Sequence, residues 1–431
     1  MEKGRDSSDR EKGPGPWTLG FRIPEEEGII FLGEDDGRGF ELEFRKGKLS
    51  VSIRFPVRTE PVKLEAACEP GYEAMLTYTG YRLELWAEGE LADEDWPIGQ
   101  VDIAGICKTG QGIPVSLQLG KCPVRQEKER TFTGIQGWKP EGANVHLGDC
   151  MPFYWEGTFH LFYLYDRRGH KSKWGLGAHQ WAHIATRDLV NWTEYPIAVG
   201  IDEEAEGSIC TGSVLFHDGK YHAFYAVRMC DGSPAQLTCA VSEDGIQFIK
   251  SHEVFALQPP YDGASARDPK VIRDEQGTFH MFVTTSLIKD GQSRGCLAHL
   301  LSSDLITWET AEPLVVLDIS DQPECSDYFK LGGYYYLVYS NFGTARYFFS
   351  PNPFGPWQAP EDNIVMERAY RVPKAAEWKE GRILFAGFYV DPDVDYGGTV
   401  RFYEAKARKD GSFRCRRWRK AVDGLSLCPG R

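Results

Sequence analysis

Three acids stand at matching places in the second part of the chain. Asp149 lies in Gly148-Asp149-Cys150-Met151, Asp268 in Ala266-Arg267-Asp268-Pro269, and Glu324 opens Glu324-Cys325-Ser326-Asp327. Each lies eight or nine residues ahead of a glycine turn, at Gly157, Gly277 and Gly333. A single acid in such a place is ordinarily a solvated turn carboxylate, and the shared spacing sets these three apart. Carboxyl groups on equivalent strands of a repeated unit point toward one place. Three in one pocket suit glycoside hydrolysis: one protonates the leaving oxygen, one acts as nucleophile or base, and a third binds sugar hydroxyls and steadies an oxocarbenium-like transition state. Crowding of like charges raises one pKa and keeps a proton for the acid role.

The elements that must position these acids are short aromatic-rich strands. Phe159, Leu161, Tyr163 and Tyr165 alternate with His160, Phe162 and Leu164 after the turn at Glu156-Gly157. The same turn-and-strand pattern returns at Asp218-Gly219, Gln276-Gly277, Gly332-Gly333 and Glu380-Gly381, at intervals of roughly 50–60 residues. Closing turns repeat as well, at Asp188-Leu189-Val190-Asn191-Trp192, Ser242-Glu243-Asp244-Gly245 and Ser303-Asp304-Leu305-Ile306. Repetition of turn, strand and closing turn together favours a propeller over a generic run of hairpins, and five units imply five blades. The innermost strands of a propeller ring its axis, so the three acids are expected to meet in one axial pocket.

At 431 residues the chain has room for two or three domains. From Trp17 to Phe132 it is strand-like without the blade repeat. Phe40, Leu42 and Phe44 alternate with Glu41 and Glu43, and Leu49, Val51, Ile53 and Phe55 follow the turn at Lys46-Gly47. Such alternation gives hairpins with one apolar and one charged face. The stretch ending Asp95-Trp96-Pro97-Ile98-Gly99 resembles β-sandwiches of the concanavalin or laminin-G type. The expected organisation is all-β: a polar tail over 1–16, a β-sandwich over 17–132, a connector over 133–147 with Gly134, Gly137, Pro140 and Gly142, and a five-bladed propeller over 148–431. The last unit, from Trp378 to Trp418, looks shorter, and is expected to close the ring and pack on the sandwich.

The net charge of -14 argues against nucleic acid or an anionic membrane as partner and suits a neutral substrate held by carboxylates. The start of the chain is charged and lacks an apolar leader, and no apolar run is long enough to span a bilayer, which points to the cytoplasm. Eleven cysteines without CxxC spacing fit free thiols better than a disulfide scaffold.

Other chemistry-bearing residues are expected to serve the same pocket. His170, His179 and His183 lie close in sequence, but no helix with a catalytic Glu frames a zinc site, so pocket lining or turn capping is expected and no metal or cofactor is called for. Trp174 and Trp181 are candidates for stacking on a sugar, with a packed blade tryptophan as the plain alternative. Cys150 and Cys325 flank two of the acids as buried thiols shaping the pocket. Asp391, Asp393 and Asp395 read as a solvated acidic loop, with a rim subsite or cation as the alternative.

These motifs resemble glycoside hydrolase family 32, the invertase and fructanase family. Trp174-Gly175 with Gln180-Trp181-Ala182-His183 is similar to its Trp-Gly and His-Trp-Gly-His, and Cys210-Thr211-Gly212-Ser213 to its Phe-Ser-Gly-Ser. Arg267-Asp268-Pro269 is intact, and Glu324-Cys325-Ser326-Asp327 resembles Glu-Cys-Pro-Asp. The resemblance implies Asp149 as nucleophile, Asp268 as transition-state stabiliser and Glu324 as acid/base. It implies carbohydrate contacts from Arg267, Trp174, Gln180, Trp181, Thr211, Ser213, Cys325 and Asp327. The chain departs from the family at Gly148-Asp149-Cys150-Met151, which replaces Asn-Asp-Pro-Asn, and at Leu164, which replaces a Gln. Its sandwich-like module also precedes the propeller instead of following it. The implied activity is that of a retaining β-fructofuranosidase acting on sucrose or fructo-oligosaccharides. An arabinofuranosidase-like enzyme of the family 43 type and a non-catalytic carbohydrate-binding propeller are the alternatives.

Overall fold

The structure is a computed structural model that describes residues 15–35, 38–56, 60–122, 129–142, 144–251 and 253–418. The expected tail over 1–16 therefore lies, but for its last two residues, outside the described residues. The chain divides into two compact units, one of residues 1–126 with 141–144, the other of 127–140 with 145–431.

The first unit holds two five-stranded antiparallel sheets. One runs in the order Val115–Leu119, Trp17–Arg22, Glu73–Tyr78, Leu83–Ala87, Glu90–Asp95. The other runs Val62–Ala67, Lys48–Ile53, Arg38–Arg45, Gly28–Asp35, Gln111–Gly112. The alternation seen in the sequence sets the register: Phe40 faces Ile53, Leu42 faces Val51 and Phe44 faces Leu49 across the strands. All six are buried in one core with Trp17, Leu19, Leu76 and Leu85 from the other sheet. The turns at Lys46-Gly47 and Glu88-Gly89 have positive φ at both residues, the geometry that suits the right-handed twist of a two-residue hairpin.

The second unit is five successive antiparallel meanders. The first comprises Val145–Trp155, Thr158–Arg167, Gln180–Thr186 and Asn191–Val199, and the second Glu206–His217, Lys220–Met229, Gln236–Ser242 and Ile249–Lys250. The third is built on Arg267–Arg273, Phe279–Lys289 and Gln292–Ser302. The fourth comprises Glu324–Leu331, Tyr334–Asn341 and Thr344–Ser350. The fifth comprises Tyr370–Trp378, Arg382–Val390, Gly398–Ala407 and Phe413–Arg417. The first strand of each meander lies beside the first strand of the next, and the fifth lies beside the first. Apolar clusters fill the spaces between neighbouring meanders, between second and third, third and fourth, fourth and fifth, and fifth and first.

The closing turns share one device. The hydroxyl of Thr186, Ser242 or Ser302 accepts from the backbone N–H three residues on, while Asp188, Asp244 or Asp304 accepts from two further N–H groups. A short polar side chain thus replaces the ladder where the chain reverses.

Three boundaries differ from those read in the sequence. Arg130–Thr133 pairs with Asn191–Val199 as an extra strand of the first meander, because Phe132 stacks on Trp138 at 4.6 Å and on Trp192 at 6.4 Å. The first inner strand begins at Val145, within the expected connector. The fifth meander begins at Tyr370 and has four full strands, so it is not shortened. Ten cysteines fall among the described residues, and all are free thiols.

Gly212 tests the inner packing. A Cβ there would sit 1.9 Å from the carbonyl oxygen of Phe224 and 2.9 Å from the Trp181 ring. Gly212→Ala is expected to lower stability by roughly 1–3 kcal/mol, as overpacking does, with urea denaturation as the measure. An unchanged midpoint would show that the inner strand can move aside.

Candidate active site

The inner strand of every meander carries a one-residue bulge at the same level. The ladder shifts between Leu147 and Cys150, Ile209 and Gly212, Arg267 and Lys270, Glu324 and Asp327, and Arg371 and Lys374. A bulge frees side chains from strict alternation and re-aims them. Asp268, Cys325 and Val372 pass through it at φ 55°, 49° and 39°. Non-glycine residues are rarely held in that left-handed region except where surrounding structure enforces it.

The three acids do not occupy equivalent positions in these bulges. Glu324 is the last paired residue before its bulge, Asp268 the first residue within one, and Asp149 the second. Their common distance from a glycine turn hides this stagger. The turn after the first strand has two residues, Glu156 and Gly157, whereas that of the third meander runs from Asp274 to Thr278. The acids nevertheless line one cavity of about 490 Å³, together with Thr211, Arg267 and Cys325.

Asp149 is held by donors from three other meanders. Thr211 Oγ1 donates to its Oδ2 at 2.6 Å, Cys325 Sγ to the same oxygen at 3.1 Å, and Tyr396 Oη to Oδ1 at 2.6 Å. The Asp149 N–H in turn donates to Tyr396 Oη at 3.0 Å. Asp268 is buried, and its Oδ2 accepts from the Cys325 N–H at 2.8 Å. Arg267 donates through Nη2 to Glu324 Oε1 at 3.0 Å and stands 3.7 Å from Asp268 Oδ2.

Burial pushes the Glu324 carboxyl above the ordinary range; Arg267 opposes the shift, and the nearby Asp268 and Asp149 charges add to it. Burial likewise raises Asp268 against the pull of Arg267. Burial, then the Asp149, Asp268 and Glu324 charges, raise the Cys325 thiol well above its usual value. Cys325 is therefore a protonated donor at neutral pH and no nucleophile.

Other residues read in the sequence lie elsewhere. Trp181 is fully buried and donates from Nε1 to the Cys210 carbonyl at 2.8 Å. Gln180 is buried and accepts from the Ile201 N–H at 3.2 Å. Ser213 Oγ donates to the Pro269 carbonyl and accepts from the Val271 N–H, both at 2.9 Å. Asp327 accepts from Lys270 Nζ at 2.6 Å, from the Tyr328 N–H, and from the Ala375 N–H. Ser213 and Asp327 border a second cavity, of about 350 Å³, with Lys270 and Lys374. The side chain of Trp174 lies outside the described residues. Cys150 is buried in the apolar cluster between the first and fifth meanders. Asp391 pairs with His146 at 3.4 Å and Asp395 with Lys171 at 3.0 Å, and Asp395 reaches the cavity rim.

Sequence reasoning missed Tyr396, Asp166 and the cavity arginines Arg228 and Arg371. Tyr396 has an indirect signal in Gly148. A Cβ at 148 would sit 2.4 Å from the Tyr396 hydroxyl, so glycine makes room for this ring. His170 and His179 line the cavity, whereas His183 stacks on Phe162 and meets His160 at 3.0 Å. Asp166, near the end of the second strand, has its Oδ1 2.9 Å from His179 Nε2 and accepts from the His170 backbone N–H.

The fold is shared with solved carbohydrate-active proteins. The Bombyx mori GH32 beta-fructofuranosidase matches with a TM-score of 0.52 at 19% identity, over 64% of this chain and 65% of that one. Fructan 1-exohydrolase IIa from Cichorium intybus matches with a TM-score of 0.53 at 16% identity, over 67% and 60%. A family model described as the glycosyl hydrolases family 32 N-terminal domain matches residues 150–370. The chain therefore belongs to glycosyl hydrolase family 32. Sucrose-6-phosphate hydrolase of Bacillus subtilis (strain 168) is 32% identical over 197 residues, 43% of this chain and 39% of that protein. The matches span about two-fifths to half of the length of such curated relatives. No helix among the described residues is long and apolar enough to cross a membrane.

The raised Asp268 has a testable sign. A carboxyl whose folded pKa lies above its unfolded value costs stability as pH rises through the folded value, and nothing below the unfolded value near 4. Asp268→Asn is expected to melt above the wild type at pH 7–8, with the gap closing toward about pH 4. Thermal denaturation across that range is the measurement, and a wild type that melts higher at pH 8 would mean that Arg267 outweighs burial.

Proposed function

We propose that the chain is a retaining β-fructofuranosidase-like glycosidase acting on sucrose or fructo-oligosaccharides. Its catalytic part is a five-bladed β-propeller, the five meanders of the second unit, preceded by a β-sandwich made of the two sheets of the first. The observation that carries the reading is the convergence of Asp149, Asp268 and Glu324 on one cavity from three different meanders.

The geometry suits distinct roles. Asp149 has both carboxylate oxygens fixed by short hydrogen bonds, which orients it as a nucleophile toward the anomeric carbon. Glu324, partly exposed at the cavity yet with its carboxyl raised by burial, suits protonation of the leaving oxygen. As Asp149 attacks and the glycosidic bond breaks, Glu324 gives its proton to the departing alcohol. The same carboxylate then takes a proton from water, which releases the sugar with retained configuration. Asp268, buried and fixed by the Cys325 N–H, is suited to face the positive charge that grows on the ring. Arg267 joins the two acids and steadies Glu324 while it is charged.

Asp149→Asn, Asp268→Asn and Glu324→Gln are each expected to lower kcat by about a thousandfold or more on the true substrate. A panel of sucrose, inulin, levan and nitrophenyl glycosides identifies that substrate. Sucrose 6-phosphate belongs in it because Arg228 and Arg371 also line the cavity. Cleavage of arabinofuranosides alone would reassign the sugar, and binding without turnover across the panel would make the chain a carbohydrate-binding protein. Near-normal turnover in any one variant would remove that residue from the mechanism.

Stereochemistry provides a separate test. Proton NMR of the first-formed product is expected to show retained anomeric configuration. An inverted product would recast Asp149 as a general base acting on water.

A further inference from the structure

Beside the three acids lies a second constellation that the proposed hydrolysis does not use. Asp166 is the next-to-last residue of the second strand of the first meander, and His179 immediately precedes its third strand. Between them the chain turns through Arg168, Gly169 and His170, all at positive φ, which carries His170 back over Asp166. His179 Nε2 lies 2.9 Å from Asp166 Oδ1 and 3.2 Å from His170 Nδ1, and the ligand atoms of all three residues fall within 4.8 Å of one another. Asp166 and His179 are buried, and both histidines face the cavity.

Hydrogen bonding alone serves this cluster poorly. A neutral His179 has at most one proton on Nε2, yet that atom meets both a carboxylate oxygen and a ring nitrogen. If the proton is present, two acceptors compete for it. If it is absent, the Nε2 lone pair faces the carboxylate. If His170 Nδ1 also carries a proton, two N–H groups collide. A divalent cation removes the conflict, because all three lone pairs then point at it. Two ligands on a tetrahedral zinc, at bonds of roughly 2.0–2.1 Å, stand about 3.3–3.4 Å apart. The contacts of 2.9 and 3.2 Å are close to that spacing, and the remaining pair, Asp166 with His170, lies within 4.8 Å and draws in around the ion. The backbone N–H of His170 already holds the Asp166 carboxylate, and the backbone N–H of His179 donates to Ser208 Oγ at 3.2 Å. Such outer contacts orient the ligands of metal sites.

We propose that Asp166, His170 and His179 bind a zinc ion whose fourth position opens into the cavity, where water or a sugar hydroxyl completes the coordination. Two imidazoles and one carboxylate form a donor set that zinc accepts while leaving a position open. The ion has a direct route to the neighbouring carboxylate. The Tyr396 ring stacks on His179, with centroids 5.0 Å apart, and its hydroxyl donates to Asp149. Zinc is thereby a positioning element for the Tyr396 wall of the cavity. This inference stands apart from the identity of the sugar, since its test reads metal and not turnover.

The experiment strips the full chain with a chelator and titrates zinc by calorimetry, with metal analysis after dialysis. One equivalent per chain is expected, and cobalt in its place should give visible bands of a four- or five-coordinate ion. His170→Ala alters a part-exposed residue on a turn and leaves the Asp166–His179 pair intact. It should keep the wild-type circular dichroism and lose the equivalent. Asp166→Asn should do the same, and His170→Ala alone decides the matter if Asp166→Asn does not fold. No stoichiometric binding by the wild type overturns the proposal. So does unchanged binding by His170→Ala, or a thiolate-to-cobalt charge-transfer band, which would place the metal on cysteine.

Discussion

The carboxylate of Asp149 rests on the second, fourth and fifth meanders, through Thr211, Cys325 and Tyr396, while its own strand belongs to the first. Those three donors are separated by up to 247 residues of chain from the acid they hold. Their meeting depends on five inner strands bulging at one level, so that side chains otherwise committed to alternation turn toward a common cavity. The left-handed conformations of Asp268, Cys325 and Val372 are local costs of this arrangement, and the packed ring around them holds them in place.

The same bulge separates two chemistries a few residues apart. Glu324 and Cys325 face the acid-lined cavity, while Asp327, three residues on from Glu324, turns to a second cavity and pairs with Lys270. Lys374, in the same position of the fifth strand, is buried there and donates to the Gly212 carbonyl at 2.8 Å. One cavity thus gathers carboxylates around an opening, and the other ties inner strands together with charge-assisted hydrogen bonds.

Much of this was legible in the sequence, for reasons only partly the right ones. The repeated glycine turns and aromatic strands mark the five meanders because a glycine at positive φ lies in the first hairpin turn of each, a two-residue turn in the first, second and fourth and a longer one in the third and fifth. The three acids stood out through their spacing from those turns, yet they sit at successive steps of the bulge, and turn lengths differ enough to mask it. Trp181 and Ser213 belong to motifs near the acids, but their polar atoms bond the backbone of neighbouring strands, which no local pattern distinguishes from a sugar contact. Tyr396 lies in a loop of the last meander with no motif of its own, and only the missing side chain at Gly148 marks its place.

The pairing of Leu147 with Gly398 joins the first meander to the last in a single sheet, and one apolar cluster, including Phe159, Leu161, Leu384 and Phe402, fills the seam. That seam has a consequence for biosynthesis. A nascent chain that has emerged only through the fourth meander exposes an unpaired inner edge and half an apolar core, features that template wrong association. Closure must wait for residues near 400 and must draw together chain ends some 250 residues apart, a loop whose entropy is lost before its contacts form. The seam that carries both Asp149 and Tyr396 therefore cannot close before the fifth meander has been made, and the hydrogen bond that fixes Asp149 Oδ1 is among the last that the emerging chain can form.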